Sequence, residues 1–417
     1  MSLSALASSA QSLAADLHYL LARLRRLENS PQVRANPNLT LYLSFLAYFY
    51  QDRKAQTEEL LQDTKKRNSS PLTTIRQKID VEDRAIDLLE RLVEVSERSG
   101  DVPNELYFVL QDVFKSFQCK IRFVVLSGVS LSTLVLEDLI PEVAIPHDVK
   151  AQLEKEFFAV IFAPPRFTKN PEYWPRIVHE AAHNIDRLLK ITGNTIQGFG
   201  KGVAQLPLEL ARSVVSLCQE QVADLISIHY YGPAYGDSAL LVFLRGEPVV
   251  LPTHPIGTQR LLTIASELEY MGFKKESKDF REKTRQLGVE EKHRDKAYSP
   301  PGVAKPLQNK LRANVRSISL KCKSILSPSD VASGVRMIGK FVEYDLTNRR
   351  FVKLTPANLP LRILFNSYRP RLKGRAQTNF EESQEIHEWI LNSIRMSATA
   401  ESPAFRDFYV AQPVQIR

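Results

Sequence analysis

Cysteine is scarce in this chain of 417 residues, which contains only Cys119, Cys218 and Cys322. The three lie far apart, their number is odd, and no two of them form a C-x-x-C pair. The sequence therefore offers no basis for a disulfide framework. Free thiols of this kind favour a reducing compartment, and we expect a cytoplasmic protein.

Long hydrophobic runs are also missing. The most apolar early stretch, residues 39–50, is interrupted by Ser44. It is shorter than the roughly 20 residues that a helix needs to cross a bilayer. The first 15 residues are rich in Ser and Ala and lack the basic start and strongly apolar centre of a secretory signal. We expect neither a signal peptide nor a membrane span.

The strongest chemical signal is the motif H-E-x-x-H, formed by His179, Glu180 and His183. Residues four apart on a helix lie one above the other, so the two imidazoles can converge on one metal ion. Glu180 stands about 100° round the helix, close enough to accept a proton from the attacking water without binding the metal. The pattern predicts a catalytic Zn²⁺, one per chain.

A zinc ion that performs chemistry needs a third protein ligand and an open position. Glu220 and Asp224 are also four apart, within an apolar stretch of helical spacing. Glu220 can complete a His-His-Glu site, while Asp224 can accept the outer N–H of a ligand histidine. Asp186 is an alternative third ligand. The metzincin extension is excluded, because Asp186 and Leu189 stand where it requires glycine and histidine.

An H-E-x-x-H helix followed by an E-x-x-x-D helix resembles the gluzincin metallopeptidases, the thermolysin-like clan. The resemblance implies a zincin-like core and a zinc metalloendopeptidase. His179, His183 and Glu220 would be the ligands, Glu180 the general base, and Asp224 the group that orients a ligand histidine.

The segment from Pro252 to Leu262 is similar to the T-H-P-x-x-x-x-R-[IL] segment of the HtpX-like peptidases, where it opens a helix beside the active site. Those relatives are usually embedded in membranes, whereas this chain has no spanning segment. Peptide hydrolysis needs a donor to the transition state. We expect His254 to be catalytic, and the other candidate donors are Arg260, Tyr230, Tyr231 and Tyr235.

Periodicity predicts an α+β fold that is mostly helical. Four helices are expected in a helical N-terminal region, residues 1–118, and strands follow within a zincin-like metallopeptidase domain, residues 119–290. Residues 301–417 form a basic C-terminal extension. The apolar strand at 156–163 is predicted to be an edge strand that pairs with extended substrate.

Four glycines fall within residues 192–202, between the two predicted metal helices. A phosphate-binding loop is excluded, since Thr195 and Gly202 stand where that motif needs glycine and a hydroxyl residue. We predict a mobile loop at the mouth of the cleft.

Positive charge is concentrated late in the chain. Residues 301–380 contain 16 Lys and Arg against three acidic residues, a net charge of +13, whereas the whole chain carries +9. Such a segment suits nucleic acid or another acidic partner, although an ordinary solvated basic face is an equal alternative.

Two functional classes follow. The first is a zinc metallopeptidase acting on a peptide or protein substrate. The alternative is a nucleic-acid- or partner-binding protein whose zincin-like core is structural or inactive.

Overall fold

The computed structural model describes residues 2–31, 33, 36–65, 71–136, 157–199, 201–244, 257–286, 305–325, 342–345, 350–354, 361–368 and 380–401. These residues are mostly helical, with a small mixed sheet of three strands, which confirms the α+β class. The chain divides into two compact units: Met1–Val102 with Ile121–Pro165, and Pro103–Lys120 with Arg166–Arg417.

The first unit begins with three helices that pack against one another. They are α1 (Leu3–Glu28), α2 (Pro37–Lys65) and α3 (Leu72–Glu97), followed by a 3₁₀ turn at Arg98–Asp101. The leucines of α1 from Leu13 to Leu24 are buried except Leu21, which packs against the core from a partly buried position. A buried ion pair crosses this apolar interface, because Arg53 on α2 donates to Glu82 on α3 at 2.9 Å.

The sheet of the first unit contains β1 (Arg122–Ser127), β2 (Ser132–Val135) and β3 (Phe158–Ala163), in the order β1-β3-β2. β3 is parallel to β1, with Arg122 opposite Phe158, and antiparallel to β2, with Ser132 opposite Phe162. Val124, Phe158 and Val160 share one apolar core with the three helices. A strand at 156–163 was correctly predicted, but its edge position was wrong. β3 lies between β1 and β2 and is hydrogen-bonded to both, so both of its edges are occupied. A continuous apolar run is typical of such a central, buried strand.

The helices of the second unit begin with α4 (Asn104–Ser116) and the short α5 (Pro165–Thr168). Pro165 is the last residue of the first unit, and the rest of α5 belongs to the second. After a 3₁₀ turn at Pro171–Tyr173 come α6 (Trp174–Leu189), α7 (Ile191–Gly198), α8 (Lys201–Ala204), α9 (Leu208–Tyr231) and α10 (Pro233–Leu244). The remaining elements are α11 (Gly257–Tyr270), α12 (Lys274–Gln286), α13 (Lys305–Ile325), β4 (Val342–Asp345), β5 (Arg350–Leu354), α14 (Leu361–Leu364), a 3₁₀ turn (Phe365–Tyr368) and α15 (Phe380–Glu401).

Helices α6 and α9 pack together at the centre of the second unit, and α10, α11 and α13 pack against α9. The indole of Trp174 fixes the start of α6, since its Nε1 donates to the carbonyl of Thr168 at 2.9 Å. Gly232 ends α9 at a positive φ of 61°, a conformation that glycine adopts without strain. These contacts fix the start of α6 and the end of α9, the two helices that carry the predicted ligands.

The glycine-rich stretch between α6 and α9 is largely helical, so the prediction of a loop was wrong. Lys190 turns the chain with a φ of 51°, and Asp186 then accepts hydrogen bonds from the backbone N–H and the hydroxyl of Thr192, at 2.7 and 2.6 Å. These bonds cap the first turn of α7 and offset the low helix propensity of its glycines. Of the helices in the described ranges, none is long and apolar enough to cross a bilayer.

Candidate metal centre

Helix α6 places three potential ligands on one side. The imidazole rings of His179 and His183 are 4.9 Å apart and nearly perpendicular. One donor atom from each histidine and one from Glu180 lie within 4.8 Å of one another. His179 is buried, while Glu180 and His183 are partly exposed. This group could hold a metal ion and leave one side accessible.

Glu220, on α9, brings a second carboxylate to the same imidazoles. Its Oε2 lies 3.2 Å from Nε2 of His179, and its Oε1 lies 3.4 Å from Nε2 of His183. Metal–ligand bonds of 2.0–2.1 Å in a tetrahedral site place neighbouring ligand atoms about 3.3 Å apart. Each imidazole is therefore spaced from one oxygen of this carboxylate as two ligands of the same metal would be.

The outer nitrogen of His179 faces two further buried groups. Its Nδ1 lies 3.2 Å from Oδ1 of Asp224 and 3.0 Å from the hydroxyl of Tyr235, on α10. That hydroxyl also donates to Asp224 and accepts a hydrogen bond from Nη1 of Arg176, at 3.2 Å. Asp224 and Tyr235 therefore fix the ring plane of His179 and direct its Nε2 towards Glu220.

Arg260, on α11, joins both carboxylates of α9. Its Nε lies 2.7 Å from Oδ2 of Asp224, and its Nη1 lies 3.0 Å from Oε2 of Glu220. The guanidinium also approaches His179, with Nη2 3.4 Å from Nε2. Arg260 was expected either to donate to the transition state or to hold a Glu or Asp in place, and these contacts are of the second kind.

These contacts determine the protonation of the cluster. Burial tends to raise the pKa of Glu220 and of Asp224, but the charge of Arg260 and the hydrogen bonds from the histidines outweigh it and lower both. Burial lowers the pKa of His183, whereas Glu220 raises it, and the net result is a pKa of about 9. The carboxylates are therefore ionised at neutral pH, as metal ligands must be, whereas His183 carries a proton that it must release when a metal binds.

The other predicted site residues lie in different surroundings. Asp186, the alternative third ligand, accepts from Thr192 with both of its oxygens. Tyr230 donates to Asp112. The ring of Tyr231 packs against Phe365, and its buried hydroxyl has no hydrogen-bond partner among the described residues. His254 lies outside the described residues, whereas Arg260 reaches the centre.

Sequence reasoning missed Arg176, which is buried and hydrogen-bonded to Tyr235. Its position three residues before His179 on the same helix was a signal that it faces the same side. A second buried polar cluster was also missed. It joins His229, Glu267 and Ser319, from α9, α11 and α13, with His229 Nε2 2.8 Å from Glu267 Oε1.

Comparisons of the chain with protein-family models, with curated proteins and with solved structures each gave no match. Function is therefore inferred from the side chains of the centre and their geometry.

Proposed function

We propose that this protein is a zinc metallopeptidase of the gluzincin type. His179, His183 and Glu220 hold the metal, and Glu180 is the general base. The observation that carries the proposal is the approach of both Nε2 atoms to one carboxylate, at 3.2 and 3.4 Å. Two histidines and a glutamate are a ligand set of catalytic zinc, and three protein ligands leave a position open for substrate.

Zn²⁺ bound by these residues would lower the pKa of a water molecule and polarise the carbonyl of a peptide bond. The carboxylate of Glu180 is partly exposed and adjoins His179, whereas that of Glu220 is buried. Glu180 is thus the acidic group able to exchange protons with water and substrate. It accepts the proton of the attacking water and delivers it to the leaving nitrogen.

Buried hydrogen bonds support this chemistry from behind the ligands. Asp224 and Tyr235 hold Nδ1 of His179, which keeps Nε2 directed at the metal position. Because the hydroxyl of Tyr235 is already bonded to Asp224 and Arg176, its contacts are those of a positioning residue. Of the described candidate donors to the transition state, Arg260 is placed against Nε2 of His179 and Oε2 of Glu220, whereas Tyr235 contacts Nδ1 on the other side of the ring.

Metal content and hydrolysis of a mixed peptide library test the proposal. We expect about one zinc per chain in the wild type, and loss of that zinc in His179→Ala and Glu220→Ala. Glu180→Gln should keep the zinc and lose at least about 100-fold in hydrolysis, because only the proton acceptor is removed.

Glu209→Gln is the matched control, since its side chain is 90% exposed at the start of α9. It should retain both zinc and activity. A wild type that binds no zinc when zinc is supplied, or a fully active Glu180→Gln, would refute the proposed function.

A nucleic-acid-binding or partner-binding protein with a structural or inactive centre is the second candidate. Arg260 favours it, because its guanidinium already supplies positive charge to Glu220. Helix α13 favours it as well, since it contains six Lys and Arg and no acidic residue. Exposed Arg316 and Lys323 lie two turns apart on this helix.

Binding of a short single-stranded RNA at rising salt tests this candidate. Contact with phosphates predicts that affinity falls steeply with salt and falls further in Arg316→Gln/Lys323→Gln. Lys54→Gln, an exposed lysine of α2, is the control. Absence of binding even at low salt would eliminate nucleic acid as the partner.

A further inference from the structure

The guanidinium of Arg260 bridges the proposed third metal ligand and the carboxylate that supports the first. Nε and Nη2 meet the two oxygens of Asp224 at 2.7 and 2.5 Å, and Nη1 meets Oε2 of Glu220 at 3.0 Å. Glu220 and Asp224 are one helical turn apart on α9. One planar guanidinium can therefore bind both, and a lysine, with its single point charge, could not reproduce the geometry.

This bridge matters because both carboxylates are buried and negatively charged. Two such charges in one apolar interior repel each other and strongly destabilise the folded state unless a cation compensates them. Arg260 is itself only 3% exposed, so water screens this interaction weakly. Its charge keeps Glu220 and Asp224 together in the protein without metal.

The same oxygen serves both arginine and histidine. Oε2 of Glu220 lies 3.0 Å from Nη1 of Arg260 and 3.2 Å from Nε2 of His179. A divalent cation held by the two imidazoles would draw on this carboxylate as well. Two cations, the metal and the guanidinium, then share the Glu220 carboxylate.

We propose that Arg260 is the internal counter-ion of the metal centre and an electrostatic competitor of the metal. It holds Glu220 and Asp224 in place when no metal is bound, so metal enters a preformed site and leaves without unfolding the protein. The proposal rests on the metal site of the proposed function. This centre would then differ from structural zinc sites, because proteins with such sites fold only when the metal is bound.

Unfolding temperatures and zinc affinities of wild type and Arg260→Gln test this role. Each protein is prepared without metal and loaded with zinc, and the dissociation constant is measured by competition with a chromophoric chelator. The metal-free wild type should stay folded. Metal-free Arg260→Gln should unfold at a lower temperature than metal-free wild type, and zinc should restore much of that loss. Its dissociation constant for zinc should be at least about tenfold lower than that of wild type, because the competing charge is gone.

Arg53→Gln is the matched control. Arg53 is also 3% exposed and pairs with the carboxylates of Glu82 and Asp52, in the other unit. This change should lower the unfolding temperature equally with and without zinc and leave zinc affinity unchanged. Arg260→Lys keeps the positive charge but loses the planar guanidinium that binds both carboxylates at once. It should lower metal-free stability while zinc affinity stays within about threefold of wild type.

The outcomes separate this proposal from the proposed function. If wild type binds zinc, and Arg260→Gln binds it equally or more weakly, the counter-ion role is overturned and the peptidase stands. Tighter binding by Arg260→Lys, to the same extent as by Arg260→Gln, also overturns it. If only Arg260→Gln binds zinc, the counter-ion role is supported and the peptidase is refuted. If neither binds zinc, both proposals fail.

Discussion

At the scale of single residues, His179 is the most constrained member of the candidate centre. Its two nitrogens face opposite ways, Nε2 towards Glu220 and Nδ1 towards Asp224 and Tyr235. An imidazole held on one side by a carboxylate and a hydroxyl has a defined ring orientation. His183 is more exposed and has Glu220 as its close acidic partner. The two histidines therefore contribute differently to a metal site.

Two buried tyrosines allow a matched test of this constraint. Tyr235→Phe removes a hydroxyl that bonds to Asp224, His179 and Arg176, and should lower the free energy of unfolding by about 1–3 kcal/mol. Its zinc affinity should fall about tenfold, because His179 loses a positioning contact. Urea unfolding and chelator competition measure the two effects.

Tyr231→Phe is the control, since that hydroxyl is buried without a hydrogen-bond partner among the described residues. Its loss should change the free energy of unfolding by less than about 0.5 kcal/mol, because no bond is broken. Equal effects of the two substitutions would contradict the assigned role of Tyr235.

At the scale of elements, pairs of residues four apart recur on both metal helices. His179 and His183 share one face of α6, and Glu220 and Asp224 share one face of α9. Packing of α6 on α9 brings the two faces together. The spacing within each helix was readable from the sequence, and the contact between the helices required the fold.

The pairing of α2 with α3 predicts a dependence of stability on pH. Burial raises the pKa of Glu82 from 4.5 to about 7, despite the opposing charge of Arg53. A carboxyl whose pKa is higher in the folded protein stabilises it fully below pH 4.5, and this contribution is lost as pH rises through 7. The loss amounts to about 3 kcal/mol.

Glu82→Gln removes the titrating group, so its free energy of unfolding should vary less between pH 4.5 and 7 than that of wild type. Chemical unfolding at several pH values measures the difference. Glu58→Gln, an exposed position of α2, is the control and should follow the wild-type profile. Parallel profiles for Glu82→Gln and wild type would exclude Glu82 as the titrating group.

At the scale of the whole molecule, part of the basic extension packs within the second unit. Helix α13 lies against α9, and Ser319 donates to Glu267 beside His229. All three side chains of this cluster are buried. The cluster therefore connects α13 to the same two helices that carry Glu220 and Arg260.

This packing predicts that the extension stabilises the second unit. Ser319→Ala should lower the free energy of unfolding by about 1–2 kcal/mol, because it removes a buried hydrogen bond to Glu267. Ser317→Ala, at an exposed position of the same helix, should change it by less than about 0.5 kcal/mol. Chemical unfolding of the two variants decides the matter, and indistinguishable curves would argue against the connection.

The sequence by itself determined the features that depend on local spacing. Apolar residues at helical intervals predicted the four N-terminal helices, because side-chain direction repeats every 3.6 residues. A short continuous apolar run that ends at two prolines predicted β3. The placement of His179, Glu180 and His183 on one helix followed for the same reason. Glu220 and Asp224 were found in the same way.

The tertiary structure alone decided which of these faces meet. The central position of β3 depends on pairing with a parallel and an antiparallel neighbour, and its own composition does not encode which partners it has. The helix at Ile191–Gly198 depends on a cap from Asp186 that outweighs glycine propensity. The bridge from Arg260 to Glu220 joins residues 40 positions apart. Such contacts form between elements, where spacing along the chain carries no information about distance.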